Sequence, residues 1–172
     1  MAINDRVRDK VFLILNLYAD FPEITVHRNV DDPLSGEFLI TGHSPLTVIK
    51  YSYVRQQHLI SYNYDLFLSI YDPSVVTAEK LNLRDAISGN NKLDKAFIKK
   101  LSSSPAVALI QSTNEWQIVI QPKSGGTLIE LSPYIGNITQ LTLPPVVSAI
   151  VPSHTEILQQ LEVLQIIKSC FP

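Results

Sequence analysis

The chain has 172 residues, of which 45% are hydrophobic, a net charge of -2 and an isoelectric point of about 6.0. This length suits a single domain, and the hydrophobic share excludes a disordered chain. Nucleic acid is not an expected partner, because phosphate backbones are bound by strongly basic surfaces. With one cysteine, Cys170, the chain forms no internal disulfide.

A helix is the first predicted element. Apolar residues recur at helical spacing from Ile3 to Tyr18, and Phe21-Pro22 ends the pattern. Four extended segments follow, at 24–30, 37–42, 46–54 and 59–70. Turn residues at 31–36 separate the first two, and a turn at Gln56-Gln57 is expected to join the last two, so neighbouring strands run antiparallel.

The rest of the chain predicts a second round of helix and strand. Asp72-Pro73 begins a helical segment over 74–101, which Ser88 to Asn91 divides into two pieces. Three strands are expected at 106–111, 116–121 and 127–131, with hairpin links between them. Ser153 and Glu156 have the spacing of a capping box, which predicts the start of a last helix.

The predicted order is therefore α-ββββ-α-βββ-α, with about seven strands. Links of hairpin length indicate an antiparallel β-sheet, so we predict an α+β fold, packed against the N- and C-terminal helices, in a single domain over 1–172. This order of elements resembles that of the small acidic dimeric chaperones of secretion systems. The resemblance rests on element order, without a shared motif, and implies a chaperone-like dimer.

Charged residues are scarce and unevenly placed. They make up 17% of the chain, against about 25% in an average soluble domain, and none occurs from 131 to 155. Such a stretch is either buried or in contact with a partner. No apolar run approaches the ~20 residues that cross a bilayer, and the N-terminus lacks the pattern of a secretory signal, so we expect a cytoplasmic protein without a membrane span.

Residues suited to catalysis or metal binding are scattered. A zinc site needs three or four converging ligands, whereas the histidines stand singly, at His27, His43, His58 and His154. Glu115 precedes Trp116, but no second carboxylate is expected to face it. We therefore predict no catalytic residues, no metal and no cofactor. A hydrolase assembled from distant residues is the least favoured alternative.

Tyrosines form the most distinctive cluster, since five of the seven lie between positions 51 and 71. Strand alternation places four of them on one face, and we call this set the tyrosine ribbon: Tyr51, Tyr53, Tyr62 and Tyr64. Either a helix covers this face and the hydroxyls reach its rim, or the face binds a partner or a ligand.

A second candidate surface is the segment LTLPPVVSAIV, from Leu141 to Val151. Its two prolines cannot occupy a central strand. The segment is either a strap over the protein's own core or a contact with another subunit. Its candidate binding residues are Pro144, Pro145, Val146 and Val147.

These features predict a non-catalytic protein-binding or assembly module that acts as a homo-oligomer, in the first place a homodimer, or with another protein partner. Two-fold symmetry would place one such surface against its copy, and a stable interface needs about 800 Å² from each partner. The alternative is a small-ligand-binding domain with an apolar pocket lined by the tyrosines.

Overall fold

The computed structural model describes residues 4–42, 46–74, 80–87, 95–112 and 116–171. These residues form five helices and nine strands. The antiparallel sheet and the helices near both ends confirm the predicted α+β class, with more strands than the seven expected. The chain divides into two compact units, unit 1 with residues 1–68 and 133–157 and unit 2 with residues 69–132 and 158–172.

In chain order the elements are α1 (Asp5–Ala19), β1 (Ile24–Arg28), β2 (Ser35–Ile40), β3 (Thr47–Gln57), β4 (Ser61–Asp72), β5 (Leu81–Asn82), α2 (Leu83–Ile87), α3 (Lys95–Ser102), α4 (Pro105–Ser112), β6 (Trp116–Lys123), β7 (Gly126–Pro133), β8 (Ile138–Leu141), β9 (Val146–Ala149) and α5 (His154–Cys170). Unit 1 contains α1, β1 to β3, most of β4, and the pair β8 and β9. β4 and α5 each run from one unit into the other.

The predicted first helix is confirmed. The Asn4 side chain accepts a hydrogen bond from the Arg6 N–H, which caps the first turn. One stripe of α1 is buried, formed by Val7, Val11, Ile14, Leu15 and Tyr18. This stripe packs on the sheet of unit 1, where α1 contacts β1, β8 and β9.

The sheet of unit 1 has the order β1-β2-β3-β4, with β8 paired to β4 and β9 paired to β8. Cross-strand partners share a face. Phe38 opposite Ile49 and Tyr64 opposite Ile138 are buried, and we call their side the covered face. The other side, which includes Glu37 opposite Lys50 and Thr139 opposite Ser148, is the open face.

Two turns differ from those predicted from the sequence. β3 continues through Gln57, and the His58 N–H donates to the Ser61 carbonyl at 2.8 Å, so the turn lies at Leu59-Ile60 and the prediction of Gln56-Gln57 was wrong. Buried positions alternate along β4, and their burial sets the register more strongly than the polarity of the link. Gly36, predicted in a turn, belongs to β2 and pairs with Tyr51.

In unit 2, the sheet runs from the end of β4 through β7 and β6 to β5. The strand predicted at 106–111 is wrong, because this segment is α4. Pro105 suits the first turn of a helix, and the buried Ala106 and Ile110 are four residues apart. The predicted helical segment over 74–101 contains β5, α2 and α3 in its described part, and its expected break at 88–91 lies outside the described residues.

The predicted last helix is confirmed together with its capping box. The Ser153 N–H donates to Glu156 Oε2 at 2.7 Å, and the Glu156 N–H donates to Ser153 Oγ at 3.3 Å. Ile157, Leu161 and Leu164 are buried, whereas Leu158 is exposed. Among the helices that the structure describes, none combines the length and the apolar character of a membrane span.

Candidate interaction surface

The tyrosine ribbon lies on the covered face. Tyr51, Tyr53 and Tyr64 are buried, and Tyr62 is half-buried. The Arg55 guanidinium lies 4.0 Å from the centre of the Tyr62 ring, a cation–π contact at the end of the ribbon. The four tyrosines lie on one face, as predicted, although the turn differs. The turn at Leu59-Ile60 changes the pairing of β3 with β4 by an even number of residues, so each side chain stays on the predicted face. In the folded chain, three of the four rings serve as core.

An aromatic column explains why Tyr51 is buried. The Tyr18 ring from α1 stacks on Phe38 with 4.5 Å between ring centres, and Phe38 contacts the Tyr51 ring at 5.0 Å. The Tyr51 ring crosses over Gly36, its cross-strand partner. A Cβ at Gly36 would lie 2.5 Å from the Tyr51 hydroxyl oxygen and would also collide with the His27 carbonyl oxygen. The column therefore requires glycine at this position.

The hydroxyl groups of the ribbon differ in their partners. Tyr64 donates to Gln140 Oε1 at 3.2 Å, but the hydroxyls of Tyr51 and Tyr53 are buried without a hydrogen-bond partner among the described residues. Burial raises the pKa of Tyr51 to about 12, with the Arg28 guanidinium opposing this rise and the Asp32 carboxylate adding to it. Burial also raises the pKa of Tyr53 well above its usual value. Both phenols therefore remain neutral near pH 7.

The segment around the two prolines is a β-hairpin. β8 and β9 flank a turn that contains Pro144 and Pro145, and Leu143-Pro144 is a cis peptide bond. Both the N–H and the Oγ1 of Thr142 donate to the Ile60 carbonyl, at 3.0 and 2.9 Å. The prolines lie outside the strand ladder, as expected, but the residues on either side form strands, which the sequence did not predict.

We call residues 138–151 the uncharged hairpin, because they include no Asp, Glu, Lys or Arg. On its open face, Leu141 and Val146 oppose each other and are exposed. Ile150 is exposed on the same face, beyond Ser148. Leu143, Leu59 and Ile60 extend the exposed apolar surface at the two turns. Large exposed apolar patches are uncommon on monomeric soluble proteins and are found at their contact sites.

The tyrosine ribbon and the segment from Leu141 to Val151 meet in one row of cross-strand neighbours. Tyr62 opposes Gln140, and Gln140 opposes Val147, so these three residues cross β4, β8 and β9 on one side. Val146 lies on the opposite side of the sheet, and Pro144 and Pro145 lie in the turn. Among the predicted binding residues of this segment, Val146 therefore belongs to the open face and Val147 to the covered side.

The two edge strands of unit 1 differ in charge. Within the part of the chain that the structure describes, β1 pairs with β2 alone, and it carries His27 and Arg28. The Arg28 guanidinium lies 4.5 Å from the centre of the Phe12 ring and donates to Asn16 Oδ1 at 2.7 Å. Among the described strands, β9 pairs with β8 alone, and it has no charged residue. Charged side chains discourage the pairing of an edge with another strand, so β9 lacks a protection that β1 has.

Leu141, Ser148 and Ile150 lie within the segment that the sequence predicts as a candidate surface, but they are not among its predicted binding residues. A signal for them exists in the alternation of positions 146, 148 and 150 within the charge-free stretch. This alternation indicates an exposed face only if the segment is known to be a strand. The prolines instead favour an irregular segment without strand pairing.

Comparison with known proteins gives no relative for this surface. The chain matches no protein-family model, no curated protein and no solved structure. Within the described residues, no group of three or more His, Cys, Asp or Glu side chains is arranged to hold a metal ion.

Proposed function

We propose that this chain is a non-catalytic assembly protein that forms a homodimer through the uncharged hairpin. The observation that carries the proposal is the exposure of the opposed pair Leu141 and Val146, and of Ile150 further along the same face, on a hairpin without charge. Removing apolar surface from water is favourable by about 25 cal/mol for each Å², and a complex gains the part of this that exceeds the entropy cost of association. A soluble protein gains from covering this hairpin.

Charge supports a second copy as the partner. The net charge of -2 gives two copies only weak mutual repulsion. In a two-fold dimer each residue near the axis lies close to its own copy, so a charged residue there would face a like charge. The hairpin has no such residue. The β1 edge carries Arg28, and a two-fold axis near that residue would place two cations near each other.

The same proposal includes a cytoplasmic location and excludes nucleic acid as the partner. The free thiol of Cys170 is buried, and a free cysteine is compatible with a reducing compartment. The slightly acidic chain supports a protein partner, because nucleic acid is bound through clustered Lys and Arg.

The test measures the mass of the full chain by sedimentation at several concentrations. Val146→Asp is the test variant, and Val54→Asp is its matched control, because Val54 is also a strand valine on an exposed side and the two are 46% and 45% exposed. We expect a wild-type dimer and a dissociation constant raised roughly 100-fold by Val146→Asp, since two carboxylates would enter an apolar contact. Val54→Asp is expected to dimerise like the wild type. A wild-type monomer at all concentrations would contradict the proposal.

A small-ligand-binding domain is the second candidate, and one observation favours it. The buried hydroxyls of Tyr51 and Tyr53 have no acceptor among the described residues, so a guest with acceptor atoms would satisfy both. Native mass spectrometry of the purified full chain tests this candidate. We expect an added non-covalent mass that is lost in Tyr51→Phe, and a mass equal to the chain alone would contradict it.

A further inference from the structure

We infer that β9 pairs antiparallel with β9 of a second copy, about a two-fold axis that passes at Ser148, so that the two sheets join. This inference rests on the proposed homodimer and specifies its geometry. It requires backbone groups that point away from β8, a register that uses them, and side chains that fit their own copies.

The hydrogen bonds of the hairpin show which backbone groups point outward. The Ile150 N–H donates to the Asn137 carbonyl at 2.9 Å, and the Ile150 carbonyl accepts from the Gly136 N–H at 2.7 Å. Ile150 therefore points both of its backbone groups towards the neighbouring strand. Successive residues of an antiparallel strand alternate in this direction. Val147 and Ala149 consequently direct their N–H and C=O groups to the side of β9 away from β8, where the described residues place no other strand.

Pro145 limits the register of a second strand. It is the preceding outward-pointing residue, but it has no N–H, and its carbonyl already accepts from Arg6 Nη1 at 3.0 Å. Within β9, the outward groups that can form a ladder are then those of Val147 and Ala149. They are all used when Val147 opposes Ala149 of the second copy. This register places Ser148 opposite Ser148 of the second copy, on the two-fold axis.

The side chains suit this register. On the open face, Val146 would oppose Ile150 of the second copy, and symmetry would form the same pair twice. Both residues are exposed in the single chain, and β-branched apolar pairs stabilise adjacent strands. The residue on the axis is a small neutral serine, which faces its copy without repulsion. Charge and size are thus self-complementary along the whole pairing segment.

A cysteine on the axis tests the pairing. Residues directly opposite in a non-hydrogen-bonded antiparallel pair have Cα atoms about 4.5 Å apart, which is within the range that a disulfide spans. We expect full-length Ser148→Cys, treated with diamide, to form a disulfide-linked dimer at least tenfold faster than Thr25→Cys. Thr25 is the matched control, an exposed hydroxyl residue on the β1 edge. The wild type controls for Cys170, which is buried.

Hydrogen exchange provides a readout that needs no substitution. In the wild-type dimer the amides of Val147 and Ala149 are expected to exchange at least tenfold more slowly than after dilution to monomer. Amides that are already bonded to β8, such as that of Ser148, are expected to change less.

The outcomes separate this inference from the proposed function. If the wild type is a dimer that Val146→Asp dissociates, but Ser148→Cys cross-links no faster than Thr25→Cys, the strand pairing is overturned and the homodimer stands. A wild-type monomer at all concentrations overturns both. A monomer in which an added extended peptide protects the amides of Val147 and Ala149 also overturns the pairing, because the occupant of the edge is then a strand of another protein.

Discussion

Two tyrosines cover a strand glycine, one in each unit, and they do so under different conditions. In unit 1 the Tyr51 ring lies over Gly36, and in unit 2 the Tyr71 hydroxyl lies beside Gly126. A Cβ at either glycine would come within 2.5 Å of the phenol oxygen. Tyr51 is 1% exposed and its hydroxyl has no partner among the described residues, whereas Tyr71 is 38% exposed and donates to the Ser124 carbonyl at 3.1 Å.

The difference shows what a strand tyrosine contributes at each site. A ring that covers a glycine fills the space of the missing side chain and helps to fix the register of the two strands. At Gly36 this packing comes with an unsatisfied hydroxyl, and at Gly126 the hydroxyl gains a hydrogen bond at the surface. Tyr51 is therefore explained by packing in unit 1, and its place in a tyrosine-rich stretch is not by itself a sign of a binding face.

Removal of either tyrosine ring is expected to give the largest change in the free energy of unfolding, and it tests this comparison directly. Tyr51→Ala is expected to lower the free energy of unfolding by about 4 kcal/mol, because it leaves a cavity beside Phe38 in the aromatic column. Tyr71→Ala is expected to cost about 1 kcal/mol, since its ring is partly in water already. Urea denaturation followed by circular dichroism measures both values. Equal losses would contradict the distinction between a core and a surface ring.

A methyl group at each glycine gives the next largest effect. Gly36→Ala is expected to destabilise the protein by about 3 kcal/mol, because the buried Tyr51 ring and the His27 carbonyl leave no room for the new carbon. Gly126→Ala also meets a carbonyl, that of Asp72, but Tyr71 can move towards solvent, so about 1.5 kcal/mol is expected. The same urea titration measures these losses. A smaller loss for Gly36→Ala than for Gly126→Ala would reverse the comparison.

Helix ends and strand alternation are the parts of this fold that the sequence predicts well. The Asn4 cap and the Ser153–Glu156 capping box are local hydrogen-bonding patterns, and both are present in the structure. The segment at 106–111 fails because apolar residues without clear period suit a strand as well as a helix, and tertiary packing decides between them. β8 and β9 fail because prolines mask two short strands that form only by pairing with β4 and each other.

The candidate site also has one part that the sequence predicts and one part that it does not. The charge gap from 131 to 155 contains the uncharged hairpin and is visible without a structure, because the positions of charged residues are read directly from the sequence. The position of the hairpin on an edge is set by pairing over long sequence separations, such as Tyr64 with Ile138, which no local pattern shows. The packing of Tyr51 over Gly36 likewise depends on a register between two strands.

Alkaline pH is expected to sharpen the comparison through the ionisation of Tyr51. Its pKa is raised from 10.0 in the unfolded chain to about 12 in the folded protein. Below pH 10 the phenol is neutral in both states, so its contribution to stability is fully present. Between pH 10 and 12 it ionises in the unfolded chain first, which favours unfolding, and stability falls. Tyr51→Phe is expected to show a shallower fall over this range in urea titrations at stepped pH, and an unchanged slope would contradict the assignment.

The smallest expected effects come from removing the two hydroxyls at pH 7. Tyr51→Phe is expected to be neutral or to stabilise the protein by up to about 1 kcal/mol, because it removes a buried donor that has no acceptor among the described residues. Tyr71→Phe is expected to destabilise by about 0.5 kcal/mol, because it breaks the bond to the Ser124 carbonyl at a partly exposed site. Thermal and urea unfolding give both signs. A loss of 1 kcal/mol or more in Tyr51→Phe would mean that its hydroxyl has a bound acceptor in solution, and would favour the ligand-binding candidate over packing alone.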